Sequence, residues 1–162
     1  IFKMILKNSI KFVLYLIILN FLFFFNNVSS LNNKIIARVG NEIITNLDLK
    51  NEINTFLILT GQTINQENVN KSKDIAFKSL IRNAIKKNEI DKYKVKNFNR
   101  SDLENYLNNI SSNLNINRSE LKEFFKINRL DYDQFKKNYV NELLWNTLIF
   151  SLYKNQININ TI

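Results

Sequence analysis

The stretch "KIIARVGNEIITNLDLKNEI", residues 34–53, decides how the folded part of this chain begins. Two short runs rich in β-branched residues, 35–39 and 42–45, flank the pair Gly40 and Asn41, which tolerate the positive φ angles of a two-residue hairpin turn. A helical pattern follows directly. The sequence therefore predicts a β-hairpin that runs straight into a helix. Since an isolated hairpin is marginally stable in water, we expect it to lie on helices or to gain a third strand.

The composition of the remaining chain favours helices. The chain has 162 residues, 45% of them hydrophobic, which suits one domain with a sizeable core. Proline is absent and glycine occurs only twice, so few residues interrupt a helix. We expect a mainly α fold, a bundle of about five helices with the hairpin near its start. The later candidate for a third strand is "QININ", Gln156 to Asn160.

Helix starts are marked by capping signals, in which a polar side chain is followed three residues later by a carboxylate or amide. These pairs are Thr45 with Asp48, Ser101 with Glu104, Asn117 with Glu120, and Asp131 with Gln134. Apolar residues at helical spacing then predict five helices. The predicted bounds are 46–59, 68–92, 102–114, 119–128 and 131–153.

The fifth predicted helix is apolar around nearly its whole circumference. One side carries Phe135, Tyr139, Leu143 and Phe150, and the other carries Leu144, Trp145, Leu148, Ile149 and Leu152. Only a narrow polar arc, at Thr147, Ser151 and Lys154, remains. A helix of this kind is normally buried on all sides. We expect its last turns to need more covering than the four other helices supply.

A lysine-flanked apolar run opens the chain. Lys3, Lys7 and Lys11 precede residues 12–25, which are broken only by Asn20. A run of about 14 residues matches the core of a signal peptide and is shorter than the ~20 residues of a spanning helix. The run therefore predicts export.

The polar segment after this run carries Val28 and Ser30 at the positions that a signal peptidase favours. We expect cleavage after Ser30, giving a signal peptide at 1–30 and a mature domain at 31–162. The alternative is an uncleaved inner-membrane anchor that starts near Ile5. Because the positive residues precede the apolar run, both interpretations place the rest of the chain outside the cytoplasm.

Catalytic chemistry has few candidates in this sequence. Cysteine and histidine are both absent, which removes thiolate nucleophiles, imidazole bases and the commonest metal ligands. Carboxylate pairs at 120 and 123 and at 131 and 133 are explained as helix caps and surface charge. We predict no enzyme, cofactor or metal. The net charge is +9, but the lysines are dispersed among about 30 asparagines, so we expect no nucleic-acid partner.

A family resemblance rests on several segments taken in order. The opening "IIARVGNEIIT", the following "L-D-L", the pair "SDLENYL" and "INRSELKEFF", and "DYDQFKKNYVNELL" resemble the N-terminal domain of SurA, over about Lys34 to Asn160. That family comprises periplasmic chaperones of outer-membrane proteins. The resemblance implies a helical body whose hairpin meets a strand after the last helix.

The resemblance also bears on activity. SurA-like proteins carry one or two parvulin-type prolyl isomerase domains, and parvulin sites use histidines. This sequence contains neither these domains nor a histidine, so we expect no prolyl isomerase activity from it.

The resulting hypothesis is a non-catalytic holdase that binds unfolded outer-membrane protein segments in an apolar groove. Its candidate client or partner surface consists of Trp145, Leu148, Leu152, Phe124 and Phe125. Aromatic and aliphatic residues at helical spacing are more often plain core, and that alternative stays open here. A second hypothesis is an interaction module that completes a partner, either a separate isomerase or a second copy of the chain.

Overall fold

The computed structural model describes residues 33–154, a β-hairpin followed by five α-helices. The elements are β1 (Ile35–Val39), β2 (Glu42–Thr45), α1 (Asn46–Leu59), α2 (Gln66–Lys92), α3 (Arg100–Asn113), a 3-10 turn (Arg118–Glu120), α4 (Leu121–Ile127) and α5 (Tyr132–Tyr153). The predicted mainly helical fold with an early hairpin is confirmed. The predicted signal peptide and the candidate strand at 156–160 lie outside the described residues.

The hairpin turns one face toward the helices. The two antiparallel strands pair Ala37 with Ile44 and Arg38 with Ile43, and a bulge lies between Ile35 and Ala37. Ile44 is 4% exposed, whereas Ile43 is 46% exposed. Because successive side chains in a strand point to opposite faces, this contrast identifies the inner face. The hairpin lies on helices, as its marginal stability requires.

The hairpin turn differs from the prediction and depends on a residue of α2. Gly40 has a φ of +59°, but Asn41 is not among the residues with positive φ, which is the pattern of a type II′ turn. The Asn88 side chain accepts a hydrogen bond from the Asn41 N–H at 3.1 Å and donates one to the Val39 carbonyl at 2.8 Å. A Cβ atom on Gly40 would lie 2.6 Å from Asn88 Oδ1, so the close approach also requires glycine.

Two of the predicted helix caps have the expected geometry. At the start of α1 the Asp48 N–H donates to Thr45 Oγ1 at 3.2 Å, and Asp48 Oδ2 accepts from the Thr45 N–H at 2.7 Å. At the start of α5 the Gln134 N–H donates to Asp131 Oδ1 at 2.8 Å. These bonds satisfy N–H groups that have no partner within the helix.

Other helix starts correct the prediction. α2 begins at Gln66, two residues before the predicted start. The Asn65 side chain caps it by accepting a hydrogen bond from the Asn68 N–H at 2.8 Å. The predicted Ser101 cap of α3 is wrong, since Asn99 accepts from the Ser101 N–H at 3.0 Å. Asparagine and serine have similar preferences for the N-cap position, so the sequence alone could not decide whether Asn99 or Ser101 caps α3.

The fourth predicted helix is a composite. Its first turn is the 3-10 turn, and α4 continues from Leu121. Glu120 accepts a hydrogen bond from the Asn117 N–H at 2.9 Å, so the predicted pair does lie at this start. The element therefore has the predicted position but a tighter first turn.

Four helices end with a residue at positive φ followed by a long backward hydrogen bond. The residues are Gly61, Lys94, Asn115 and Arg129. After each of them the next N–H reaches a carbonyl five positions back, as in the Schellman motif. These bonds are Gln62 to Leu57, Val95 to Ile90, Ile116 to Ser111, and Leu130 to Phe125, at 2.8 to 3.1 Å. Gly61 and Asn115 are residue types that mark such an end in a sequence, whereas Lys94 and Arg129 are not.

The buried apolar residues form two clusters. The larger cluster joins α3, α4 and α5 and contains Leu103, Leu107, Leu121, Phe125, Leu130 and Leu143. The smaller one joins α1 and α2 and contains Ile53, Leu57 and Ala76. Both α1 and α5 pack against α2, so a groove with α2 as its floor lies between α1 and α5.

Candidate binding site

The predicted surface on α5 is divided between accessible and buried side chains. Trp145 is partly buried, and the Lys86 ammonium lies 5.9 Å from the centroid of its ring. Leu152 is 42% exposed. Leu148, which lies between them on the helix, is only 2% exposed. Leu148 is therefore not part of an accessible surface in this structure.

The two predicted phenylalanines of α4 also differ from each other. Phe125 is fully buried, and its ring lies 4.8 Å from that of Phe135 and 5.4 Å from that of Tyr132, centroid to centroid. Phe124 is partly buried at the edge of the same cluster. Phe125 is thus core, because α3 and α5 converge on its side of α4, and of the two phenylalanines only Phe124 is accessible to a ligand.

The last turn of α5 is the most exposed apolar part of that helix. Phe150 is 65% exposed, Leu152 42% and Tyr153 49%. Helical spacing placed Phe150 on the same side as the core residues Phe135 and Leu143, but the structure leaves it uncovered. A group of exposed large apolar side chains is typical of a binding surface.

Two clefts adjoin each other in the groove between α1 and α5. Their volumes are about 300 Å³ and about 320 Å³. The apolar lining of the first cleft is aliphatic and includes Ile44, Leu80, Ala84, Val140 and Leu144. The apolar lining of the second is mainly aromatic and includes Phe56, Leu59, Tyr106, Phe135 and Tyr139.

Four polar residues line both clefts, and we call them the shared strip. Asn51 and Glu52 come from α1, and Gln134 and Asn138 come from α5. Gln134 and Asn138 are one helical turn apart. The strip therefore marks where the two clefts meet, with one pair of side chains on each wall of the groove.

Hydrogen bonds orient the amides of the strip. Asn138 Oδ1 accepts from Asn83 Nδ2 and from Gln134 Nε2, both at 2.7 Å. Asn51 Oδ1 accepts from the Asp131 N–H at 3.4 Å. Within residues 33–154 this leaves Asn138 Nδ2, Asn51 Nδ2 and Gln134 Oε1 without partners. The strip consequently presents both donors and an acceptor to the groove.

A buried amide fixes α5 on the floor of the groove. Asn141 is 9% exposed, and its Nδ2 donates to the Asn83 carbonyl at 2.9 Å and also to Asn83 Oδ1. Lys86 and Glu142 form an ion pair between the same two helices. Buried polar groups that are satisfied in this way specify one register of helix packing.

Glu52 is the carboxylate of the strip. One oxygen accepts a hydrogen bond from Ser79 Oγ at 2.8 Å. Burial raises the pKa of Glu52, and the Ser79 hydrogen bond opposes that shift. In the described part of the chain Glu52 has no ion-pair partner, so its second oxygen is available to a hydrogen-bond donor from a ligand.

Two tyrosines stack beside the strip. The rings of Tyr106 and Tyr139 lie 3.5 Å apart, centroid to centroid, with an interplanar angle of 6°. Burial raises the pKa of Tyr106 to about 12, with smaller contributions from Tyr139 and Glu52. The Tyr106 phenol is therefore neutral at physiological pH, and the two stacked rings form an aromatic wall beside the strip.

Neither a metal-binding cluster nor a membrane-spanning helix is found in the described part of the chain. No three His, Cys, Asp or Glu side chains within residues 33–154 are grouped so that they could hold a metal ion. Among the helices of this same range, none combines the length and the apolar character needed to cross a membrane.

The sequence predictions missed the shared strip, although a signal was present. Gln134, Asn138 and Asn141 are spaced i, i+4 and i+7, which places them on one face of α5. This polar face did not stand out in the sequence, because asparagine occurs about 30 times in the chain and a few more on one helix are not distinctive. On α1, Asn51 and Glu52 carry no distinctive pattern at all.

Comparison with known families gives one finding. A family model described as a SurA-like N-terminal domain matches residues 2–149. The match includes the hairpin, α1 to α4 and α5 up to Ile149, so it covers the groove and ends just before the exposed last turn. No curated protein and no solved structure matches the chain.

Proposed function

The chain belongs to the family of SurA-like N-terminal domains, and from that premise we propose that it is a non-catalytic holdase that binds unfolded outer-membrane proteins in the periplasm. Domains of this kind are chaperone-type or isomerase-associated modules, and they are the non-catalytic part of a periplasmic family. The holdase activity and the outer-membrane clients are our own extension of that family assignment.

The observation that carries the proposal is the exposed apolar end of α5. Phe150, Leu152 and Tyr153 present a large apolar area to solvent at the end of a helix that is otherwise packed into the body. Burial of apolar surface stabilises a complex by roughly 25 cal/mol per Å². Such a surface favours unfolded chains, because they expose apolar side chains that a folded protein buries.

The test uses a purified porin diluted from urea. We expect the protein to suppress light scattering by the aggregating porin. A photoreactive residue at position 152 should crosslink to the porin, whereas the same residue at position 123, which is exposed on α4, should not. Equal crosslinking at both positions, or no suppression of scattering, would contradict the proposal.

The interaction module remains the competing function, and mass measurement distinguishes it. A stable dimer, or a tight complex with a separate isomerase, that protects position 152 from crosslinking to the porin would favour the module. A monomer that suppresses aggregation supports the holdase.

A further inference from the structure

The net charge of the described residues is concentrated in one part of the chain. Residues 71–100, which comprise most of α2, the loop after it and the first residue of α3, carry ten basic and three acidic side chains. The other described residues carry ten basic and eleven acidic side chains, so they are close to neutral. The lysines are therefore less evenly dispersed than the composition of the whole chain suggested. A concentration of positive charge attracts an anionic partner.

One face of α2 presents cations and large apolar side chains together. We call this face the outer stripe, and it consists of Ile75, Lys78, Arg82, Ile85 and Tyr93. Steps of three, four, three and eight residues keep these positions within about a quarter of the helix circumference. Ile75 is 51% exposed, Ile85 48% and Tyr93 49%. Apolar side chains thus alternate with exposed cations along the stripe.

The cations of the outer stripe are available to a ligand. Within residues 33–154, neither Lys78 nor Arg82 forms an ion pair. Two carboxylates on the same side of α2 are already paired with other lysines, in the ion pairs Glu67–Lys71 and Glu89–Lys92. Asp74 is exposed at the edge of the stripe and offsets part of its charge.

The loop between α2 and α3 extends this basic surface. Lys94, Lys96 and Arg100 are exposed, and in the described part of the chain none of them forms an ion pair. Lys94 has a φ of +56°, so the chain leaves the helix directly after Tyr93. The stripe and the loop together carry five unpaired cations and one adjoining unpaired carboxylate, Asp74.

We propose that the outer stripe and this loop bind the surface of a bilayer that is rich in anionic phospholipid. This inference does not depend on the proposed holdase function. The lipid phosphates pair with the cations, and the two isoleucines enter the boundary between headgroups and acyl chains, as the apolar side chains of interfacial helices do. Tyr93 suits the same boundary, because a tyrosine has an apolar ring and a polar hydroxyl.

The shape of the stripe favours a lipid surface over a folded protein. Ile75 and Tyr93 are 18 residues apart, which corresponds to a rise of about 27 Å along the helix. No residue of the stripe lines either cleft of the groove. A ligand therefore meets a row of separate side chains and not a pocket. A fluid lipid surface adapts to such a row, whereas a protein interface needs a well-packed apolar core of complementary shape.

Binding through the stripe leaves the groove accessible. Leu80 and Ala84 line the first cleft. At 100° per residue they lie on the opposite side of α2 from Lys78 and Arg82. The groove therefore faces away from a bilayer that is bound to the stripe, and the two surfaces can act at the same time.

The experiment places an environment-sensitive dye on the stripe. The chain contains no cysteine, so Ile85→Cys creates a single site for labelling. The labelled protein is purified from the envelope and titrated with vesicles that contain phosphatidylglycerol, and separately with vesicles of phosphatidylcholine alone. We expect a blue shift of the dye emission with the anionic vesicles only. Because the dye reports on its own surroundings, this measurement does not depend on residues 1–32.

The matched control carries the dye at an exposed position of α4, through Glu123→Cys. We expect no shift there with either kind of vesicle. The absence of a shift at position 85, or an equal shift at positions 85 and 123, would overturn the proposal.

Neutralising the cations tests their contribution. Each basic residue near an anionic membrane strengthens binding by about fivefold. Lys78→Gln with Arg82→Gln, introduced into the protein labelled at position 85, should therefore weaken binding to the anionic vesicles at least about tenfold. The matched control is Lys50→Gln with Lys122→Gln, which removes the same charge from exposed positions of α1 and α4.

The control pair should weaken binding by less than about threefold at physiological salt, since screening reduces the effect of distant charges. Circular dichroism verifies that both variants are folded, as expected for substitutions at exposed positions. Equal losses in the two variants would show that net charge alone attracts the protein, and the assignment to the stripe would be wrong.

Polyglutamate distinguishes a lipid surface from an acidic protein, because it offers negative charge without an apolar layer. At equal anionic charge we expect the vesicles to bind at least about tenfold more tightly than polyglutamate. Ile75→Ser should weaken binding to the vesicles by about threefold or more and leave binding to polyglutamate unchanged. Equal affinity for vesicles and polyglutamate would overturn the proposal in favour of an acidic protein partner.

Discussion

The two halves of α5 differ in sequence, and the surroundings of the helix change toward its end. The first half places Phe135 and Tyr139 against the larger core cluster and Asn141 against α2. The second half ends in Phe150 and Leu152, which are 65% and 42% exposed. Residues 132–142 include four charged side chains and residues 143–153 include none, so the more apolar half is the one that ends exposed, and composition does not explain the difference.

The difference follows from what lies opposite each half. α2, α3 and α4 supply surfaces that pack on the first half, and the described residues supply much less for the last turn. A single helix can therefore be structural at one end and available for binding at the other. Substitutions in the buried and exposed parts of α5 and its neighbours test where that change occurs.

The largest expected effect separates core from surface. Phe125→Ala, which removes a fully buried ring from beside the first half of α5, should lower the free energy of unfolding by about 3–5 kcal/mol. Phe150→Ser, on the exposed half, should change it by less than about 0.5 kcal/mol. Urea unfolding followed by circular dichroism measures both. Similar losses in the two variants would show that the last turn is covered in solution.

Trp145 marks the boundary between the halves. Its ring is partly buried beneath Lys86, so Trp145→Ala should cost about 2 kcal/mol, less than the loss of a fully buried aromatic residue. Client binding per folded molecule should also fall, because accessible tryptophans often dominate contact energies. A large drop in stability with unchanged binding per folded molecule would assign Trp145 to the core alone.

A smaller effect compares two asparagines of α5. Asn141→Ala removes the donor that the Asn83 carbonyl and Asn83 Oδ1 share, which should cost about 1–2 kcal/mol. Asn146→Ala, at an exposed position five residues later, is the matched control and should be near neutral. Unfolding midpoints in urea give the comparison. A neutral Asn141→Ala would mean that apolar packing alone fixes the first half of the helix.

The smallest effect depends on pH and concerns Glu52, which faces the first half of α5. Because its pKa is raised from the usual 4.5, the folded state keeps this proton to higher pH than the unfolded state does. Stability from this group is thus present below pH 4.5 and is lost as pH rises through the folded pKa. The parent should lose stability relative to Glu52→Gln between pH 4 and pH 7.

Glu123→Gln is the control for that measurement, because its side chain is exposed on α4. Urea unfolding of the three proteins at pH 4 and pH 7 gives the result. If Glu52→Gln instead loses stability relative to the parent as pH rises, the fold stabilises the ionised Glu52 carboxylate. Both of its oxygens would then have partners within the protein, which contradicts its assignment as an available acceptor for a ligand.

Local patterns predicted the elements that depend on local chemistry. Both strands, α1 and the end of α5 have the predicted bounds, since alternation, caps and helical spacing are properties of neighbouring residues. The helix ends at Lys94 and Arg129 could not be recognised in the sequence, because lysine and arginine rarely adopt positive φ angles.

Burial and the groove could not be obtained in the same way. The sequence shows two adjacent apolar residues, Phe124 and Phe125, but does not show which of them is buried. The convergence of α3 and α5 on one side of α4 buries Phe125. The shared strip is assembled from α1 and α5, about 80 residues apart in the chain. No short stretch of sequence contains that juxtaposition.

The bond from Asn88 to the hairpin turn has a consequence for the order of folding. It joins atoms 47 and 49 residues apart, so it forms only after α2 has folded back onto the first strands. Contacts between distant residues cost loop-closure entropy and tend to form late. The turn should therefore be secured after the helices, and its amide protons should exchange with solvent before those of α2. The element that comes first in the folded chain would be the last to become protected.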